Sequence, residues 1–127
     1  MATSIAILAQ DLIWSDRLAR AVEAAGAKPE RAKTAPEFDR ALACADVAIV
    51  DLTARAYDPL AAIERARDRG IRVFAVGQHD DVDLRKRAFA HGAERVYAYR
   101  KLFEDGPGTI GGWLAAGPSS KPTESRA

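Results

Sequence analysis

The stretch Asp46-Val-Ala-Ile-Val-Asp-Leu52 decides the fold, because its middle is a continuous apolar run and its two acids lie toward the ends. The run is short for a helix and too uniformly apolar for a strand that faces water on one side. It therefore predicts a central strand that is buried on both faces, as in a parallel sheet covered by helices. Asp51 is expected near the carboxyl end of this strand.

Outward from this strand, short apolar runs alternate with segments of helical period. The predicted strands are Ile5–Ala9, Pro29–Ala32, Asp46–Leu52, Ile71–Val76 and Arg95–Tyr99. Right-handed helical crossovers between them give an α/β fold, a three-layer doubly wound sheet of five parallel strands in the order 2-1-3-4-5. Its binding crevice should lie at the carboxyl ends of the strands.

Capping residues predict where the helices begin. Thr34-Ala-Pro-Glu37 fits a capping box, Asp58 precedes a proline at the first helical position, and Asp80-Asp81 precede a helix from Val82. The acids at Asp80, Asp81 and Asp83 beside His79 are accordingly interpreted as helix-capping residues rather than metal ligands. A last helix around Trp113 is only weakly predicted, because Gly106-Pro107-Gly108 interrupts it.

Length and composition predict one globular domain. The chain has 127 residues, of which 48% are hydrophobic, and this leaves no room for a second domain. We expect the domain over residues 1–116 and a flexible tail over residues 117–127. The single cysteine, Cys44, lies in an apolar stretch and is expected to be a buried thiol in a reducing compartment.

Charge and hydropathy argue against several classes of partner. Nineteen basic residues against 18 acidic ones give too weak a field to predict binding to nucleic acid or to an anionic membrane. No segment has the apolar length of a membrane span, and the N-terminus lacks the pattern of a secretory signal. These features predict a cytoplasmic location.

Two local motifs carry a family resemblance. Val47-Ala-Ile-Val-Asp51-Leu is similar to the strand that bears the phospho-acceptor aspartate in response-regulator receiver domains, the CheY-like family. Phe89-Ala-His-Gly-Ala93 resembles the alanine-glycine-alanine that precedes the last strand of that family. Together with the order of elements, the resemblance covers roughly residues 4–116.

The resemblance implies five side chains at the crevice: two acids after the first strand, the acceptor aspartate, a small hydroxyl after the fourth strand and a lysine after the fifth. In this sequence those positions fall on Ala9, Gln10, Asp51, Gly77 and Tyr99. Only Asp51 matches. The acid pair holds the divalent cation that neutralises charge during phosphoryl transfer, so its loss predicts that no metal and no cofactor bind here.

An alternative register shifts the alignment by one residue after the first and fifth strands. It would bring Asp11 and Arg100 to the crevice beside Asp51, and would leave a phospho-accepting site with an altered magnesium site. A one-residue shift reverses the sheet face of every side chain, and two such shifts are required. The unshifted register is therefore preferred.

A candidate partner surface lies on the fourth helix, fifth strand and last helix, the region through which similar receivers contact partners or dimerise. Its candidate residues are Arg85, Tyr97, Tyr99 and Trp113, of types that favour interfaces. Trp113 has the alternative of closing the core.

The sequence thus predicts an atypical receiver-like signalling module that is not an enzyme. It would act by phosphorylation-independent binding to another signalling protein or to a second copy of itself. The alternatives are the phospho-accepting receiver and a small ligand-binding domain of flavodoxin-like fold. A glycine-rich phosphate loop, paired zinc-ligand spacings and a nucleophile elbow are all missing from the sequence.

Overall fold

The structure, a computed structural model of the chain, describes residues 3–117. Strands and helices alternate strictly along this part of the chain. In order they are β1 (Ser4–Leu8), α1 (Leu12–Ala24), β2 (Lys28–Ala32), α2 (Ala35–Leu42), β3 (Val47–Asp51), α3 (Pro59–Asp68), β4 (Arg72–Gly77), α4 (Val82–Ala90), β5 (Arg95–Ala98) and α5 (Tyr99–Ala116). Apart from Gly117, the predicted tail lies outside the described residues.

The strands form one parallel sheet in the order β2-β1-β3-β4-β5, which confirms the predicted doubly wound fold. β3 is central, and Val50 lies opposite Leu8 of β1 and Ala75 of β4. Because all strands run in one direction, their carboxyl ends meet at the same edge of the sheet. Asp51, at the end of β3, therefore lies beside the residues that follow β1, β4 and β5.

Helices cover both faces of the sheet. Strand side chains alternate between the faces, so Ile7, Ile49 and Phe74 pack under α1 and α5, whereas Leu8 and Val50 pack under the other three helices. All five of these side chains are fully buried. The central strands are thus apolar on both sides, as the run before Asp51 predicts.

The helices begin where their caps predict. The Thr34, Asp58 and Asp81 side chains each accept hydrogen bonds from backbone amides in the first turn of α2, α3 and α4. This confirms the capping interpretation for Asp81, whereas Asp83 lies inside α4 and pairs with Arg87 over 3.5 Å. Cys44 is a correction: the turn between α2 and β3 leaves it exposed, because its stretch is the end of a surface helix rather than part of the core.

The C-terminal part differs from the prediction. β5 ends at Ala98, one residue before the predicted end, and Tyr99 is the first residue of a long α5. The glycines and Pro107 do not abolish the helix but break it at Asp105, whose backbone is non-helical (φ −152°, ψ 70°). Gly106 allows close packing there, since a Cβ on it would lie 2.8 Å from the Ala21 Cβ of α1.

A polar network lies under the opposite end of the sheet. Arg72 of β4 forms a bidentate salt bridge with Glu94, and both side chains are largely buried. Trp113 of α5 donates its indole N–H to Glu94 over 3.1 Å and packs under the Arg72 guanidinium. The network joins β4, the residue before β5, and α5. Among residues 3–117, no helix is long and apolar enough to span a membrane.

Candidate functional site

The carboxyl ends of β1 and β3 border an open crevice of about 410 Å³. Its lining residues are polar in the main, and they come from the loops that follow these two strands: Gln10, Asp11, Asp51, Thr53, Ala54 and Arg55. We call this pocket the Asp51 crevice. It lies at the edge of the sheet where a doubly wound fold places its ligands.

Asp51 is 2% exposed, and its Oδ1 oxygen accepts several hydrogen bonds from the protein itself. The Thr53 backbone amide donates over 3.1 Å and the Thr53 hydroxyl over 3.0 Å. The Tyr99 hydroxyl donates to the same oxygen and also contacts the Thr53 hydroxyl. A buried carboxylate without a cation partner needs such donors, because removing its charge from water is otherwise costly.

Tyr99 follows β5 directly, at the position that the resemblance assigns to a lysine. Burial raises the pKa of its phenol well above the ordinary value of 10, and the hydrogen bond to Asp51 raises it further. The phenol is therefore protonated at neutral pH and donates a hydrogen bond without bringing a positive charge. Its ring packs against Trp14 of α1, with 4.5 Å between the ring centroids.

Ala9 and Gln10, which follow β1, take part in core packing and in loop contacts. Ala9 is fully buried and supplies no oxygen ligand from its side chain. The Gln10 side-chain oxygen accepts hydrogen bonds from the Arg55 amide over 2.8 Å and from the Ala56 amide over 3.1 Å. Gln10 thereby holds the loop between β3 and α3 against the end of β1.

The two residues of the alternative register are separated in the structure. Asp11 lines the Asp51 crevice, but its carboxylate caps α1 by accepting from the Ile13 and Trp14 amides. Arg100 is exposed and bonds Glu104 over 3.0 Å on the outer side of α5. The structure therefore brings Asp11, but not Arg100, to the crevice.

Gly77, at the end of β4, stands where the resemblance expects a small hydroxyl. Leu52 packs tightly against it: a Cβ added at Gly77 would lie 3.2 Å from the Leu52 Cδ1. A serine here would need this leucine to move. A side chain at this position would therefore lie directly against Leu52.

Sequence reasoning missed two side chains beneath and beside Asp51. Tyr57 is buried, and its hydroxyl lies 2.7 Å from the Asp51 carbonyl oxygen and 3.2 Å from that of Leu8, so that it bridges the ends of β1 and β3. The other is Thr53, which donates to the Asp51 carboxylate from its amide and its hydroxyl. An aspartate followed two residues later by threonine is a local turn signal that could have indicated Thr53; nothing in the sequence pattern indicates Tyr57.

The predicted partner surface is only partly exposed. Trp113 is 4% exposed and lies in the core, which is the alternative placement considered for it. Tyr97 is half-buried against Phe74, and Arg85 on α4 is partly exposed. Among the described residues, four large apolar side chains are exposed: Val82 at the start of α4, within the predicted surface, and Leu12, Ile13 and Phe103 near the starts of α1 and α5.

Hydrogen bonds within the chain engage side-chain oxygens at the Asp51 crevice. Within residues 3–117, no group of three histidine, cysteine, aspartate or glutamate side chains is placed to hold a metal ion. At the Asp51 crevice, Gln10 and Asp11 already accept backbone hydrogen bonds, and Asp51 accepts from Thr53 and Tyr99. In both carboxylates these hydrogen bonds go to the Oδ1 oxygen.

Comparison with known proteins shows the fold. No protein-family model and no curated protein sequence matches the chain. Its structural neighbours are CheY-like response-regulator receiver domains. A response regulator from Thermotoga maritima superposes with a TM-score of 0.77 at 18% identity, over 91% of this chain and 99% of the other.

Two further structural neighbours have the same fold. The receiver domain of a DNA-binding response regulator from Colwellia psychrerythraea 34H gives a TM-score of 0.76 at 24% identity, with 89% of this chain and 98% of the other covered. A CheY-like receiver domain protein from Methanospirillum hungatei JF-1 gives 0.71 at 18% identity, with coverages of 92% and 100%. The chain therefore has the flavodoxin-like receiver fold.

Proposed function

We propose that this chain is a signalling module of the receiver type that acts by binding another protein, without phosphorylation and without enzymatic activity. The partner would be another signalling protein, and a second copy of the chain is the other candidate. One observation carries the proposal: the Asp51 carboxylate is held by hydroxyl groups of the same chain, at the place where a receiver presents it to a phosphoryl group.

The chemistry of phosphoryl transfer supports this reading. A carboxylate that attacks a dianionic phosphoryl group is repelled unless a divalent cation and an ammonium group offset the charge. Here Ala9 and Gln10 supply no anionic ligand for a cation, and Tyr99 offers a neutral phenol where an ammonium is needed. The electrostatic requirements for the reaction are therefore not met at the Asp51 crevice, and we propose that no metal cofactor is used.

Intact mass measurement tests the proposal. The purified chain is incubated with acetyl phosphate and magnesium, and its mass is followed over time, with Asp51→Asn as the matched control and an active receiver domain as the positive control. We expect no gain of a phosphoryl group. A gain in the wild-type chain that is lost in Asp51→Asn would overturn the proposal.

The phospho-accepting alternative rests on a specific observation, because Asp11 and Asp51 both line the crevice. Release of Asp11 from its capping position would place two carboxylates there. The Asp11→Asn variant discriminates between the readings: under the alternative it abolishes phosphoryl uptake, whereas under our proposal there is no uptake to lose.

A further inference from the structure

The first part of α5 is held differently from the rest of the helix. Non-helical backbone at Asp105 separates residues 99–104 from residues 106–116. The Asp105 side chain then starts the second part, since it accepts a hydrogen bond of 3.0 Å from the Gly108 amide. Residues 99–104, which we call the Tyr99 segment, thus form a short helical piece with a break at its end.

The contacts that anchor the Tyr99 segment come from Tyr99, Leu102 and Phe103. No side chain caps its start at Ala98, and a helix of this length has no stability of its own. Of its six residues, Arg100, Lys101, Phe103 and Glu104 are exposed, and Leu102 is buried. The hydrogen bond of the Tyr99 hydroxyl to Asp51 therefore fixes the segment together with the packing of Leu102 and of the Tyr99 ring.

The Tyr99 segment also shapes a surface shared with α1. The Tyr99 ring packs on Trp14, and the Arg17 guanidinium lies 4.5 Å from the Phe103 ring centroid and 5.8 Å from that of Trp14. Phe103 is 61% exposed. A movement of the segment would therefore displace Phe103 and Arg17 together.

We propose that Tyr99 is a conformational clamp, which uses Asp51 as its anchor and thereby sets the position of the Tyr99 segment against α1. The proposal rests on the proposed function, because it requires Asp51 to hold a side chain of the same chain. Loss of the phenolic hydroxyl frees the segment to move about the break at Asp105. The Asp51 crevice would thus control the surface formed by Trp14, Arg17 and Phe103.

Amide hydrogen exchange, followed residue by residue by NMR, tests the clamp in the full chain. In Tyr99→Phe we expect the Phe103 and Glu104 amides to exchange about tenfold faster, while amides of β1, β3 and the second part of α5 keep their wild-type rates. The Trp14 indole signal should shift in the same variant. Tyr97→Phe is the matched control, because Tyr97 lies two residues away on β5 but packs against Phe74.

Thr53→Val provides a second route to the same result, since it removes the other hydroxyl at Asp51 while the tyrosine stays intact. It should accelerate exchange at Phe103 and Glu104 in the same pattern. Unchanged rates at these two amides, or an equal acceleration throughout the sheet, would overturn the clamp.

Failure of the clamp is distinguishable from failure of the proposed function. Phosphoryl uptake by the wild-type chain refutes the proposed function and removes the premise of the clamp. Unchanged exchange at Phe103 in a chain that takes up no phosphoryl group refutes the clamp alone.

Discussion

At the scale of single residues, the Asp51 crevice is organised by neutral hydroxyl groups. Tyr99 and Thr53 bond the Asp51 carboxylate, and Tyr57 bonds its carbonyl oxygen from below. The position of Asp51 could be predicted from the apolar run that ends at it. Its partners could not, because Tyr57 and Tyr99 reach it only through the packing of distant elements.

Tyr57→Phe should lower the free energy of unfolding by about 1–2 kcal/mol, since it leaves a buried carbonyl oxygen without its phenolic donor. Urea denaturation measures the change. Tyr97→Phe is the control, because Tyr97 is only half-buried and its hydroxyl should contribute less to stability. An equal loss in both variants would show that the bridge between β1 and β3 contributes nothing specific.

The buried tyrosines also predict that the free energy of unfolding depends on pH. Burial raises the pKa of the Tyr57 phenol well above 10, as it does for Tyr99, whereas in the unfolded chain both phenols ionise near 10. Above pH 10 the folded state therefore binds more protons than the unfolded state, and the free energy of unfolding falls as pH rises. Urea denaturation between about pH 9 and pH 11 measures this fall, which Tyr57→Phe should make shallower. A steeper fall in that variant would contradict the assignment.

At the scale of secondary-structure elements, the sequence patterns succeeded where the signal is local. The capping residues Thr34, Asp58 and Asp81 start the helices that they predict. The length of α5 was underestimated, because Gly106-Pro107-Gly108 is a local signal for a helix break. The helix continues beyond these residues because of tertiary packing, which local sequence does not show. Gly106 fits against Ala21, a contact that no local pattern shows.

Gly106→Ala tests the close approach of α1 and α5. Its Cβ would lie 2.8 Å from the Ala21 Cβ, so we expect a loss of about 1–3 kcal/mol in the free energy of unfolding. Gly112→Ala in the same helix is the control, since nothing lies within 4 Å of its added Cβ. Higher helix propensity should make that control neutral or more stable by up to about 1 kcal/mol. Similar effects of both substitutions on thermal or urea denaturation would contradict this packing.

Arg72→Met tests the network of Arg72, Glu94 and Trp113. It removes the guanidinium from a buried carboxylate and should lower the free energy of unfolding by about 3 kcal/mol or more. Arg65→Met is the control, because the Arg65 pair with Asp39 lies at the surface, where water screens the charges, and should contribute much less. Equal losses in urea denaturation would show that burial does not distinguish the two pairs.

At the scale of the whole molecule, the fold follows from the order of its elements. The sheet order and the covering of both faces could be predicted because the central strands are apolar throughout. The exposed surface could not be predicted in the same way. Trp113 is in the core, whereas Leu12, Ile13 and Phe103 are exposed, because exposure depends on how α5 breaks and packs on α1.

The most direct test of the central claim is a titration of the wild-type chain with magnesium, with and without beryllofluoride, followed by the amide chemical shifts of Asp51 and Thr53. If hydroxyl groups of the chain hold the carboxylate, neither addition should shift these signals at millimolar concentrations. Saturable shifts at both residues, larger when beryllofluoride is present, would show that Asp51 still accepts a phosphoryl-like group and would contradict a module that acts by binding alone.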